Sequence, residues 1–389
     1  MTQRIPPAPR ITNDELDELL LSKGGIFWLD GEHNEWTKEL FQIIVKRFNH
    51  HVARAKAELY RDRPREIEFG FLCNTDLNAF AYASPSTNSP PFDFIGINVG
   101  ALFTLLDIFQ RILAHPKNFP EVGDATKENP SPQAIEYLSR DVLTTGHVAC
   151  TPNCSIRAAF ASLLTQTAID FLFFHELSHL RNGHLEYVNQ QLRAGHWTEA
   201  NGKTDETPLQ IRQTLEMDAD CGAILLALNE AFKLKDNLAG MPKSDKTDLQ
   251  KAMLAAYGSP KQAVRTVEFS AYVFFRLFDV EWAWFRQSGQ SHPLPAIRMF
   301  WIGATLYEIF SMRGTYKYSV EEYMSDSPRN ILSAETACAN IKGERPDPHM
   351  IMSVVSNSQH LEYLGNLTRS WKVIRPHLEI HKRGGNLAP

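Results

Sequence analysis

The chain has 389 residues, 43% hydrophobic and 22% charged, the composition of a globular protein able to build a core; a disordered or collagen-like chain is excluded. A formal net charge of −5 gives no electrostatic reason to expect nucleic acid or an anionic membrane surface as partner. The five cysteines are too few and too scattered for a disulfide framework. The N-terminus lacks a signal-peptide stretch, and no run reaches the roughly 18 uninterrupted apolar residues of a membrane span, so a soluble, cytoplasmic protein is expected.

Taken in chain order, residues 14–22 read as a short acidic helix. Residues 36–60 read as a longer one, with an apolar stripe of Leu40, Ile43, Ile44 and Phe48. Past Pro64 the period shortens. Residues 66–73, 77–83 and 92–99 read as strands, with a Ser- and Pro-rich loop at 84–91. Residues 101–114 are helical, and 115–153 concentrate Pro, Asn and charge as a surface insertion. That insertion holds His147 and Cys150, and Cys154 follows directly after it. A structural zinc site usually needs four ligands, so these are read as loop or core thiols in preference to a second metal site.

From residue 156 a strongly apolar helix runs to Arg181, where Asn182 and Gly183 are suitable terminators. A second helix is expected over 209–232 and a polar loop over 233–247. The remainder is mostly helical, with a break at 291–295. The stretch 266–285 comes closest to a span, but Glu268, Arg276, Asp279 and Glu281 interrupt it, so it reads as a buried amphipathic helix. The fold class is α+β and mainly helical, with a small sheet in the first third. The expected divisions are an N-terminal helical segment (1–65), a main domain (66–310) and a C-terminal helical extension (311–389).

The chemistry-bearing motif is His175-Glu176-Leu177-Ser178-His179, an HExxH pattern inside a helix. Residues four apart share a helix face, so His175 and His179 can grip one ion. Glu176 projects about 100° away and can serve a water beside it. The other reading is a helix whose histidines are buried and hydrogen-bonded to neighbours. Against it stands the apolar run Ile169, Phe171, Leu172, Phe173 and Phe174 just before the motif, since polar groups on a core helix need partners. A third ligand is needed. His184 is rejected: the metzincin spacing would put that histidine at the position of Leu185. Glu216, on the second helix, is the preferred ligand and Asp218 its competitor. Asp220, four residues after Glu216, would hold a ligand imidazole by its other nitrogen. Zinc suits two imidazoles and a carboxylate with one position open.

With these residues the chain resembles the gluzincin metallopeptidases, and in particular the CAAX prenyl protease family with its soluble relatives. Four features carry the likeness in order: the HExxH motif followed by Gly183 and His184, the Glu216-Met217-Asp218-Ala219-Asp220 helix, the Asn78-Ala79-Phe80-Ala81 strand ahead of the motif, and His292-Pro293 followed by Arg298. The membrane spans of that family are missing, and the 115–153 insertion is foreign to it. The layout is also similar to the Lit-type phage-exclusion proteases. The resemblance implies a zincin-like catalytic domain that hydrolyses a peptide bond of an intracellular protein, with Zn2+ held by His175, His179 and Glu216 and with Glu176 as general base. It implies His292 or Arg298 as donor to the oxyanion; Arg298 pairing with Asp220 is the alternative. It further implies that an extended substrate adds along Asn78, Ala79, Phe80 and Ala81 as a sheet edge, the alternative being an interior strand without ligand contact. Two rival functions remain: a triggered protease with a single cellular target, and a non-catalytic binding module that keeps the ion for shape. Intact Glu176 speaks against the second.

Overall fold

A computed structural model describes residues 14–28, 35–59, 65–84, 91–129, 150–192, 196–198, 209–240, 246–278, 293, 295–312, 316–347, 354 and 356–388. It is mainly helical with one small mixed sheet. The strands β1 (Glu66–Leu72), β2 (Ala79–Ala83), β3 (Phe92–Asn98) and β4 (His196–Thr198) lie in the order β1-β3-β2-β4. β1 runs parallel to β3, while β2 is antiparallel to both β3 and β4. Alternation along the strands sorts their side chains. Ile67, Phe71, Ala79, Ala81, Ile95 and Ile97 enter the main core. Leu72, Phe80, Tyr82, Phe92 and Phe94 close a smaller one with Leu16 and Leu20 of α1 (Asp14–Ser22).

This topology corrects the reading of Asn78 to Ala81 as an open edge. β2 has a partner on each side, β3 across its whole length and β4 across Phe80 to Tyr82. The small Ala79 and Ala81 have a different use: their face belongs to the core against which the central helix packs. Phe80 does point to the opposite face, where it is buried.

The central helix is α4 (Ser155–Arg181), preceded by α2 (Glu35–Arg54, prolonged by a π-helical turn, Ala55–Leu59) and α3 (Val99–Ala114). After it come α5 (His184–Leu192), α6 (Leu209–Ala239), α7 (Asp248–Tyr257), α8 (Pro260–Phe278), α9 (Pro295–Ser311), α10 (Val320–Lys342) and α11 (Ser358–His381). α4 packs against β2, α3, α6, α7 and α8. Among the described residues it is the one helix long and apolar enough to cross a membrane, and 72% of its apolar window is buried inside the protein. Elements from all three expected divisions share one core: Phe48 of α2 stacks on Phe173 of α4 at 4.5 Å, and Trp371 and Leu378 of α11 belong to the same apolar cluster.

Three further expectations are revised. On α2, Ile43 is 51% exposed and Phe41 takes its place in the stripe, because the core meets the helix slightly off the expected axis. The loop expected from residue 233 is helical to Ala239: Leu238 is buried and Leu234 half-buried, so the apolar face continues past the lysines. The start of the 115–153 segment does not lie loosely on the surface. The buried Arg157 guanidinium donates to the carbonyls of Leu113, His115, Asn118, Phe119 and Val122, and the chain folds around it. Just past that segment the Cys154 thiol accepts the Asp124 N–H at 3.3 Å, while His147 lies outside the described residues.

Candidate metal centre

The site forms where α4 and α6 come closest. A Cβ on Gly222 would lie 2.5 Å from Ser178 Oγ, so glycine allows an approach that any other residue would prevent. Two turns before Gly222 on α6, Glu216 meets the histidines of α4. His175 Nε2 lies 3.1 Å from His179 Nε2 and 3.1 Å from Glu216 Oε2, and His179 Nε2 lies 3.4 Å from Glu216 Oε1. Among the described residues this is the one group of three His, Cys, Asp or Glu side chains arranged to hold a metal ion.

The residues around these ligands set their protonation. His175 Nδ1 lies 2.9 Å from Asp220 Oδ1. A carboxylate only accepts, so this neighbour favours the His175 tautomer with its ring proton on Nδ1 and a lone pair on Nε2. Asp220 is itself gripped by Arg298, whose Nε and Nη2 donate to its two oxygens at 2.7 and 2.8 Å. The same guanidinium stacks over Phe275 at 4.3 Å.

On the other ligand, His179 Nδ1 lies 2.9 Å from His184 Nδ1, and His184 Nε2 lies 3.0 Å from Asp218 Oδ2. Asp218 Oδ2 accepts the His184 Nε2–H, and in that tautomer His184 Nδ1 is an acceptor. His179 must then donate from Nδ1, and its Nε2 also presents a lone pair. Burial pushes the His179 imidazole down to about 4 and outweighs the Glu216 carboxylate, so the ring is neutral near pH 7.

Two nitrogen lone pairs and a carboxylate oxygen therefore point at one another with no proton between them. Without a cation this is repulsive. A tetrahedral ion with bonds of about 2.0–2.2 Å sets its ligand atoms about 3.3–3.6 Å apart, close to the separations found here. The donor set and its spacing fit a divalent metal. His175, Glu176, His179, His184, Glu216, Asp218 and Asp220 are all 0% exposed, so the cluster is closed to solvent.

The expected residues thus separate. His175, His179 and Glu216 converge, and Asp220 lies against the other nitrogen of His175. Asp218, the competitor for the third ligand, is turned toward His184 instead. Arg298, one of the two candidate oxyanion donors, pairs with Asp220, the alternative expected for it, and its Nη2 lies 4.0 Å from Glu216 Oε2. His292, the other candidate, lies outside the described residues. His184 was dismissed as a ligand on spacing alone, and spacing does also hold its true signal: five residues past His179, just beyond the end of α4, the chain turns back toward the ligand. Comparison with protein-family models, with curated proteins and with solved structures returned no match.

Proposed function

We propose that this protein is a zinc-dependent endopeptidase with a zincin-like arrangement of a small sheet, an HExxH helix and a second helix that supplies the third ligand. The carrying observation is the convergence of His175, His179 and Glu216 with every remote imidazole nitrogen oriented by a neighbour, an arrangement that has no use without a cation. His175, His179 and Glu216 would hold the ion. When bound, zinc supplies Lewis acidity, which eases deprotonation of a water and polarises a peptide carbonyl.

The chain's own residues supply the rest. Glu176 sits next to His175 on the helix and takes the proton of the attacking water, then returns it to the leaving amine. Asp220 and Arg298 fix the His175 ring, and His184 with Asp218 fixes that of His179. The substrate is a polypeptide, in keeping with the gluzincin likeness of the sequence.

The closed burial of the cluster favours one form of this activity, a protease opened by a trigger or by its target. A constitutive peptidase needs a cleft that admits an extended chain, whereas here the general base and all three ligands are sealed. Glu176→Gln tests the chemistry. It is expected to keep the metal and the fold and to lose hydrolysis by about three orders of magnitude or more, as the amide accepts no proton. Metal content and cleavage of an unfolded protein measure the two. Near-normal turnover in this variant refutes the mechanism, and a wild type that digests unfolded protein freely refutes the triggered form.

A further inference from the structure

The segment that follows α11 returns to the metal centre. Arg383 N–H donates to Arg181 O at 2.6 Å, and Arg181 Nη2 donates back to Gly384 O at 3.2 Å. The Arg383 guanidinium is 3% exposed side-chain and pairs with Asp93 of β3 and with Glu186 of α5. A Cβ on Gly385 would lie 1.9 Å from Asn182 Oδ1, so only glycine lets the segment run this close to the end of α4. Leu387 and Ala388 are buried in the main core. At its far end Ala388 N–H donates to Asp218 Oδ1 at 2.6 Å.

Asp218 is thereby shared. Its Oδ2 accepts from Asn182 Nδ2 at 2.6 Å and from His184 Nε2 at 3.0 Å, while Oδ1 is held by the strap. We propose that the strap of residues 382–388 is a positioning element of the metal centre, in which the Ala388 N–H locks Asp218 so that His184 keeps its Nε2–H form and His179 keeps its Nε2 lone pair on the ion. The contact carries no metal ligand and touches no reacting atom. It acts through two imidazoles in series, and it joins a backbone amide near the end of the chain to a side chain 170 positions earlier. Three anchors (the main-chain pairing at Arg181, the Arg383 pairs and the Ala388 amide) hold the strap against the end of α4.

This rests on the metal-centre reading, and the test separates the two. Zinc affinity is measured in the full chain by competition with a chromophoric chelator, for wild type and Ala388→Pro, which removes the N–H and leaves the strap in place. The ring tautomers of His179 and His184 are read in the metal-free proteins by long-range ¹⁵N correlation. Wild type is expected to bind zinc with His179 as a pure Nδ1–H tautomer. Ala388→Pro is expected to bind about 10–100-fold more weakly, the size typical for loss of a group that orients a ligand, and to show mixed tautomers at an unchanged metal-free Tm. A folded Ala388→Pro protein with wild-type affinity overturns the proposal. So does weakened affinity with His179 still a pure tautomer, which leaves the strap a packing role alone. If Ala388→Pro does not fold, Asp218→Asn decides by the same two readouts, since its amide must set an N–H against either the strap or His184. Wild type that binds no zinc overturns the metal centre itself, and with it this inference.

Discussion

The same three-part device occurs twice in this molecule. At the metal centre a buried aspartate, Asp220, lies between Arg298 and His175. Five residues before His175 on the same helix, another buried aspartate, Asp170, lies between Arg47 at 2.6 Å and His51 Nε2 at 3.2 Å. Arginine, carboxylate and imidazole are matched group for group. What differs is the far side of the ring. Beyond His51 lie Phe48, Phe173 and Phe174, and its Nδ1 is buried with no hydrogen-bond partner among the described residues. Beyond His175 lie a second imidazole nitrogen and a carboxylate oxygen, each 3.1 Å away. An oriented histidine is thus common to core packing and to metal binding. The lone pair becomes a ligand only where others converge on the same point.

The sharpest break in this comparison comes from removing each histidine. His175→Ala is expected to lose bound metal and all hydrolysis. His51→Ala is expected to keep a full complement of metal and to lose only stability, about 1–3 kcal/mol for a buried charge-assisted hydrogen bond. Metal content by atomic emission and chemical denaturation measure these. Loss of metal in His51→Ala would unite the two regions into one site and remove the distinction.

A smaller difference is expected between the arginines. Arg298→Ala leaves Asp220 fully buried with only the His175 ring beside it among the described residues and should cost about 3–5 kcal/mol. Arg47 is 21% exposed and its carboxylate keeps His51, so Arg47→Ala should cost about 1–3 kcal/mol. Urea midpoints at constant m-value compare them. Equal costs would mean that water reaches both carboxylates alike.

The smallest effect is in pH. Burial alone would raise the Asp170 carboxyl, but Arg47 and His51 outweigh it and hold it below the ordinary carboxylate range. A carboxyl whose folded pKa is depressed contributes stability that is present above its unfolded pKa of about 3.9 and fades as pH falls below it. The stability gap between wild type and Asp170→Asn should therefore be constant above about pH 5 and should shrink toward about pH 3. A gap that is flat over that range would make Asp170 neutral in the folded protein, and its likeness to Asp220 would end there.

Some of this was legible in the residue order because a helix imposes its period locally. His175 and His179 share a face by spacing alone, and so do Glu216 and Asp220; the apolar run before His175 marked α4 as a core helix. The alternation of residues 66–73 and 92–99 was enough to place β1 and β3 within a residue or two. Spacing cannot say how one helix is rotated against another. Glu216 and Asp218 were therefore both open as third ligand until the packing of α6 on α4, allowed by Gly222 against Ser178, turned the first to His175 and His179 and the second to His184. Nor does a strand carry its neighbours in its own residues. Asn78 to Ala81 read as an edge, and β4, more than a hundred positions later, makes that strand interior. Arg298 could have faced a substrate or an acid, and Asp220 took it because a buried carboxylate without a cation is costly. The farthest of these contacts, Ala388 to Asp218, joins segments with no shared periodicity. It exists only because the fold brings the strap back to the end of α4.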